Sequence, residues 1–408
     1  MTTGNHPAGS PRLALFCHRV DNRAIARLSL VLGGELGAMG CDVSLVVTGV
    51  DPSSAPAIPP HLRLVDLGLR IGSTMEAVPS LAAWLRRARP DVLFAQHNGP
   101  NRAAVVARAL ARVPTRIVTV EQNHYSSYIS PAGGGWRHRR LRDRLTGWIY
   151  PRADRVTGVS PDVVADLETR FPGVRGRTAV LPNPGPSPEQ VAALGPAPVD
   201  VPWLASPRAW RVIVNVANVI PRKGQDLLIE ALPEVRRRAG DVRLVFVGRI
   251  DNAAYHAAVM NRARELGVAD QIQFLGFRDD RLSLVVASDA FALASRNEGA
   301  PLSILEAMAC GVPVVATDCT SGPAFLLDGG RCGTLVPVDD VPALAAGLVL
   351  VLTDPDLRAR LVPAARERAA AFTPRRAAEA YLALADDVMA RSRNRRKRKA
   401  HAADTPRV

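Results

Sequence analysis

Residues 289–317 read DAFALASRNEGAPLSILEAMACGVPVVAT, and the order of elements in this stretch decides the fold. DAFALAS (289–295) is a short apolar run that suits a buried strand, and RNEG turns the chain. Pro301 fits the first position of a helix over 301–310, Gly311 closes it, and VPVVAT (312–317) begins the next strand. Such a unit builds a parallel sheet covered by helices. Two carboxylates interrupt the apolar pattern. Glu298 falls at the C-terminal edge of the first strand, and Glu306 about two turns along the helix. The flanking LSIL and AMAC mark that helix face for burial, where a core would place leucine. The two acids therefore point to a bound partner.

The alternation extends outward from this stretch. RVIVNVAN (211–218), VRLVFVG (242–248) and QIQFLG (271–276) read as strands, with helices near 224–238, 254–267 and 280–287. The first half repeats the scheme with RLALFCH (12–18), DVSLVVTG (42–49), HLRLVDLG (61–68), DVLFAQ (91–96), RIVTVEQ (116–122) and RVTGVS (155–160). Helical segments such as 76–88, 100–112 and 161–170 lie between them. Between the halves, 182–208 is dense in Pro, Gly and Ala and reads as a linker. The expectation is an α/β protein: two Rossmann-like, doubly wound parallel-sheet domains facing a cleft, with ligands at strand C-terminal ends. The boundaries are 1–185 for the N-terminal domain, 186–208 for the linker and 209–372 for the C-terminal domain. A last helix, 373–390, is expected to cross back to the first domain, with a disordered basic tail at 391–408.

Bulk composition narrows the classes. With 47% hydrophobic and 22% charged residues among 408, a packed core is expected rather than disorder. Aromatics are only 5%, so Ala, Val and Leu must fill the interior. Five scattered cysteines, with no CxxC pair and no zinc spacing, read as buried thiols in a reducing compartment. The start lacks the charged and apolar regions of a secretory leader, and the longest apolar stretch, 341–352, is too short to span a bilayer. Half of the +14 net charge sits in the tail 391–408, with eight Lys/Arg against one Asp. No G-x-G-x-x-G follows a first strand, and no P-loop occurs. Asp354-Pro355-Asp356 reads as a helix cap, not a metal site.

The opening stretch then acquires a chemistry. Amides of Gly299, Ala300, Leu302 and Ser303 at a helix start form an anion site suited to phosphate. Carboxylates beside it suit sugar hydroxyls. At the matching place after an earlier strand, NVANVIPRKGQDLLIEAL (215–232) puts Arg222, Lys223 and Gly224 in a loop, where a lysine can face a diphosphate.

PRKGQDLLIEAL and EGAPLSILEAMACGVPVVATD together resemble glycosyltransferase family 4, whose members have the GT-B fold. VRLVFVG, IQFLG, GTLVPVDD, ADRVTGVSPDVVADL and AVLPNP fall in family order, so the resemblance covers nearly the whole chain. It implies retaining, metal-independent transfer of a hexose from a nucleotide-diphosphate sugar, the donor being substrate and no cofactor needed. Glu298 would contact the donor sugar beside its reacting carbon, Glu306 the ribose hydroxyls and Lys223 the diphosphate. Phe277 lies where the family contacts the nucleobase. Ala217 and Asn218 stand where the family shows G-R-x, leaving Arg222 as the second cation of the donor site. The family's N-terminal histidine has Gln122 at its usual spot, with His124 near it and His97 as a further candidate for sugar or acceptor contact. SGPAF (321–325) replaces the family's S-G-P-R-E.

One segment bears on the partner. WRHRRLRDRLTGWIYPRADR (136–155) spaces Leu141, Leu145 and Trp148 for one helix face, with Arg137, Arg140 and Arg144 on another. Such a helix suits an anionic membrane surface, as does the tail 391–399, and a glycan or lipid-linked acceptor follows. Nucleic acid is not expected. The resulting expectation is a cytoplasmic hexosyltransferase, peripheral on the inner face of the plasma membrane, with a lean to a UDP-hexose. Two alternatives stay open: a nucleotide-sugar epimerase of the same fold, and a basic binding protein with a vestigial sugar site.

Overall fold

The computed structural model describes residues 10–21, 23–52, 56–69, 74–128, 136–196 and 200–403, with backbone alone at 128, 136–139 and 392–403. The chain forms two compact units, one of residues up to Pro184 together with those from Pro374, the other Gly185–Thr373.

The first unit holds a seven-stranded sheet in the order β3-β2-β1-β4-β5-β6-β7. Its strands are β1 Arg12–Val20, β2 Asp42–Val50, β3 Leu62–Asp66, β4 Val92–Gln96, β5 Arg116–Glu121, β6 Arg155–Gly158 and β7 Thr178–Val180. Every neighbouring pair is parallel. Parallel strands need crossovers, so helices cover both faces and the strands read as unbroken apolar runs. Leu15, Phe16, Leu45, Val46 and Phe94 are accordingly fully buried. Gly33, inside the Ala24–Ala38 helix, lets that helix approach β3: a Cβ there would meet Leu62 Cδ1 at 2.7 Å.

The second unit holds six strands in the order β10-β9-β8-β11-β12-β13. They are β8 Arg211–Val216, β9 Val242–Val247, β10 Ile272–Phe274, β11 Ala290–Leu293, β12 Val314–Thr317 and β13 Thr334–Val336, again all parallel. This is the doubly wound arrangement that the strand–helix alternation implies.

Segment 186–208, read above as a linker, is packed in its described part. Val201 and Leu204 are buried in the second core, and Ser187 caps a short helix, Pro188–Ala192. The apolar residues of VPWL outweigh the local density of proline. The final helix, Pro374–Ala403, packs on the Ala24–Ala38 helix of the first unit. Tyr381 is fully buried there, its hydroxyl accepting from Gln96 Nε2 at 3.1 Å and its ring 4.9 Å from Phe94. The same helix continues to Ala403, through the segment read above as a disordered tail; Arg, Lys and Ala are good helix formers, and no Gly or Pro intervenes before Pro406.

Candidate active site

In the second sheet the crossovers leave β8 toward one edge and β11 toward the other. The C-terminal ends of these adjacent strands therefore open a crevice at the switch in strand order. The loop after β8 carries Arg222 and Lys223 in a 3-10 turn, Pro221–Lys223, ahead of the Gln225–Ala239 helix. The loop after β11 carries Ser295, Asn297 and Glu298.

Gly224 lets the first loop reach the second. Its φ is +66°, and a Cβ there would lie 1.9 Å from the carbonyl oxygen of Ala294, just past β11. Only glycine permits that approach. Lys223 Nζ then donates to Glu298 Oε1 at 2.5 Å, and Ser295 Oγ donates to the same oxygen at 2.6 Å. Arg222 Nη1 lies 3.7 Å from Glu298 Oε2 and donates to the Asn297 carbonyl at 2.7 Å. Behind this cluster, Arg296 binds Asp226 through two nitrogens, at 2.7 and 3.1 Å, and Asp339 at 2.7 Å. Tyr255 donates to Asp226 at 2.6 Å, which further pins the loop.

Glu298 is 5% exposed. Burial alone would raise its carboxyl, but the Lys223 ammonium and the Arg222 guanidinium outweigh burial and hold it below the ordinary value. Burial pulls the Lys223 ammonium below its ordinary value, against the attraction of Glu298 and with the help of Arg222. Two cations thus face one buried carboxylate, an arrangement that draws a further anion.

The remaining second-unit candidates follow the C-terminal ends of β8, β10 and β11. Pro301 is the cap and Leu302 the first residue of the Leu302–Cys310 helix, one position later than the sequence suggests, because Pro301 stays extended at ψ 117°. Ile304 N–H reaches the Pro301 carbonyl at 3.1 Å, whereas the first two amides, Leu302 and Ser303, have no acceptor within the helix. Gly299 and buried Ala300 lead into that turn. Ser321 Oγ braces the Gly299 carbonyl at 3.1 Å, and Gly322 fits against it because a Cβ would lie 2.6 Å from that oxygen. Glu306 is 7% exposed and paired with Arg281 rather than with the lysine loop. Asn218 turns its side chain to Asp251, at 2.7 Å. Phe277 is half-buried in the loop after β10. Asn297, 6% exposed, has neither carboxamide atom hydrogen-bonded among the described residues.

The first-unit candidates lie on the loops after β4 and β5. Gln122 is buried and donates to Gln96 Oε1 at 3.0 Å. His124 Nδ1 meets Ser127 Oγ at 2.9 Å and lies 3.6 Å from Asp166. His97 has φ +82°, a backbone conformation uncommon outside glycine, and its Nε2 is 3.1 Å from Asn123 Nδ2. That contact joins the two loops.

Sequence reasoning passed over Ser295, Arg281 and Ser321. Ser295 precedes Glu298 by three residues in the same turn, which is a local signal. Arg281 and Glu306 meet only through tertiary packing. Among the described residues no His, Cys, Asp or Glu cluster could hold a metal ion, and Asp354 caps the Pro355–Ala369 helix through Leu357 N–H at 2.9 Å. All five cysteines are buried and free.

The Trp136–Ile149 helix is inverted relative to an ordinary packed helix. Besides Ile149 at its end, the positions it buries are polar, Asp143 and Thr146, both meeting the Tyr125 hydroxyl at 3.2 Å. Leu141 and Trp148 are each 59% exposed and Leu145 49%, among exposed Arg140 and Arg144. No described helix is long and apolar enough to cross a membrane.

Comparison with known proteins gives consistent matches. Residues 204–368 match the family model of Glycosyl transferases group 1, and residues 24–184 that of the Glycosyl transferase 4-like domain. The chain is 40% identical over 164 residues to a GDP-mannose-dependent alpha-(1-6)-phosphatidylinositol monomannoside mannosyltransferase of Mycolicibacterium smegmatis, covering 38% of this chain and 42% of that protein. It is 33% identical over 256 residues to a D-inositol 3-phosphate glycosyltransferase of Saccharomonospora viridis, covering 61% and 54%. The chain thus spans about two fifths to half the length of these curated relatives. Among solved structures, sucrose-phosphate synthase from Thermosynechococcus elongatus superposes with TM-score 0.76 over 93% of this chain and 99% of that one, at 21% identity.

Proposed function

From the premise that this chain belongs to the family 4 glycosyltransferases of GT-B fold, we propose that it moves a hexose from a nucleoside-diphosphate sugar to a glycan or lipid-linked hydroxyl, with retention and without a metal ion. The observation that carries this reading is the buried Lys223–Arg222–Glu298 cluster at the β8/β11 switch point, beside the open N-terminus of the Leu302–Cys310 helix. Lys223, Arg222 and the first-turn amides receive the diphosphate and stabilise the charge that grows on it as the glycosidic bond breaks. This is work that a metal ion does in other transferases. Glu298 accepts from sugar hydroxyls beside the reacting carbon, and Glu306 from the ribose. The relatives named for GDP-mannose move the preferred donor from the UDP-hexose of the sequence reading to a GDP-hexose. The relatives named for phosphatidylinositol mannosides, together with the exposed Leu141, Leu145 and Trp148, support a lipid acceptor at an anionic bilayer.

The test is incubation of the full chain with GDP-mannose, UDP-glucose and UDP-galactose, each with phosphatidylinositol vesicles and each with EDTA. Expected are acceptor-dependent release of nucleoside diphosphate, insensitivity to EDTA and an α-anomeric product by NMR. Conversion of the donor sugar without acceptor favours the epimerase instead. Absence of both turnover and nucleotide-sugar binding overturns the reading.

A further inference from the structure

We infer that Arg281 is a positioning residue for Glu306: it fixes which carboxylate oxygen is presented to a ribose, and so sets the preference for ribonucleotide over deoxyribonucleotide donors. The inference rests on the reading of Glu306 as the ribose acceptor. Arg281 opens the short helix Arg281–Val286, which packs against the Leu302–Cys310 helix. Its Nε donates to Glu306 Oε1 at 3.0 Å, and its Nη2 donates to the same oxygen. A fork-on-fork pair would occupy both carboxylate oxygens. This one-sided grip leaves Oε2 without a hydrogen bond among the described residues.

Burial makes the grip consequential. Glu306 sits between buried Leu305 and Ala307. A carboxylate there without a counter-charge is costly and free to turn. With Arg281 in place it is held in one orientation, one oxygen saturated and one open. A carboxylate with one open oxygen accepts from a ribose hydroxyl and gains nothing from a sugar that lacks it. Arg281 is itself mostly buried, and Glu306 strengthens its hold on its proton against the opposing effect of that burial.

Titration calorimetry of the full chain with GDP, UDP and their 2′,3′-dideoxy forms tests this. In the native chain the dideoxy form of the tighter-binding nucleotide binds about tenfold more weakly, as loss of one hydrogen bond to a charged acceptor implies. Arg281→Leu lowers affinity for the ribonucleotide and brings the ribo-to-dideoxy ratio within about twofold; Arg281→Lys, which keeps the charge but not the planar fork, restores part of the ratio. A native ratio in Arg281→Leu, with loss of the ratio in Glu306→Gln, overturns the inference and leaves the ribose reading standing. A native ratio in Glu306→Gln removes the ribose reading and the inference with it. If Arg281→Leu does not fold, Arg281→Lys and Arg281→Gln decide the same ratio.

Discussion

At the scale of single residues, the buried pair of Lys223 and Glu298 concentrates both chemistry and risk. Removing Lys223 leaves the buried Glu298 with only Arg222, at 3.7 Å, as counter-charge, a loss of up to about 3–5 kcal/mol. Lys223→Ala is therefore expected to weaken nucleoside-diphosphate binding at least tenfold and to lower the melting temperature; unchanged affinity would remove Lys223 from the diphosphate site. The Glu298 carboxyl lies below its ordinary 4.5 in the fold, so the unfolded chain binds more protons near that value. Its contribution is present above pH 4.5 and is lost as pH falls through the folded value. The stability gap between the native chain and Glu298→Gln should close on acidification, as read from urea midpoints across pH 5 to about 3. Asn297 is a different case. Its two buried, unpaired carboxamide atoms are a standing cost, about 1–3 kcal/mol for each such group. Asn297→Leu should raise the melting temperature while weakening donor binding, and unchanged donor binding would assign the carboxamide no role in the site. The acids at 298 and 306 stood out in the sequence because an apolar helix pattern cannot explain them, whereas Arg281 carried no mark. Its partner lies 25 residues away and is reached only by helix packing.

At the scale of elements, the face that a helix buries is the informative quantity. Leu141, Leu145 and Trp148 have helical spacing, which by itself fits a core-facing stripe as well as a surface one. The fold turns Asp143 and Thr146 inward instead, because Tyr125 supplies their hydrogen bonds. The apolar stripe is left outside among arginines. Leu141→Glu with Leu145→Glu should abolish co-sedimentation with phosphatidylinositol-containing vesicles at low salt and leave turnover on a soluble acceptor intact; undiminished sedimentation would refute membrane docking by this helix. In the first sheet, burial pushes the Glu121 carboxyl up to about 7, against the Tyr150 hydroxyl that donates to it at 2.8 Å. A raised carboxyl makes the folded chain the better proton binder, so its stabilising share is full below 4.5 and is lost as pH rises through 7. Melting temperature should fall between pH 5 and 8 in the native chain and fall less in Glu121→Gln.

At the scale of the whole molecule, each sheet packs its own core, and the chain's last helix belongs to the first. Tyr381 is the anchor, and Tyr381→Ala should cost about 3–5 kcal/mol, seen as earlier unfolding of the first unit under denaturant. The strand–helix rhythm, the two halves, the lysine loop and the acid-bearing helix were all legible in the sequence, because each depends on period, caps and turn residues within about twenty positions. What tertiary structure alone decided has longer reach. It placed Lys223 on Glu298 through the backbone contact at Gly224, set Arg281 against Glu306, packed Val201 and Leu204 of the proline-rich segment onto a core and turned an apolar stripe outward. Local propensity decides which elements form, but which side chains meet depends on strand order and helix packing, and these are settled only when the whole sheet buries its two faces.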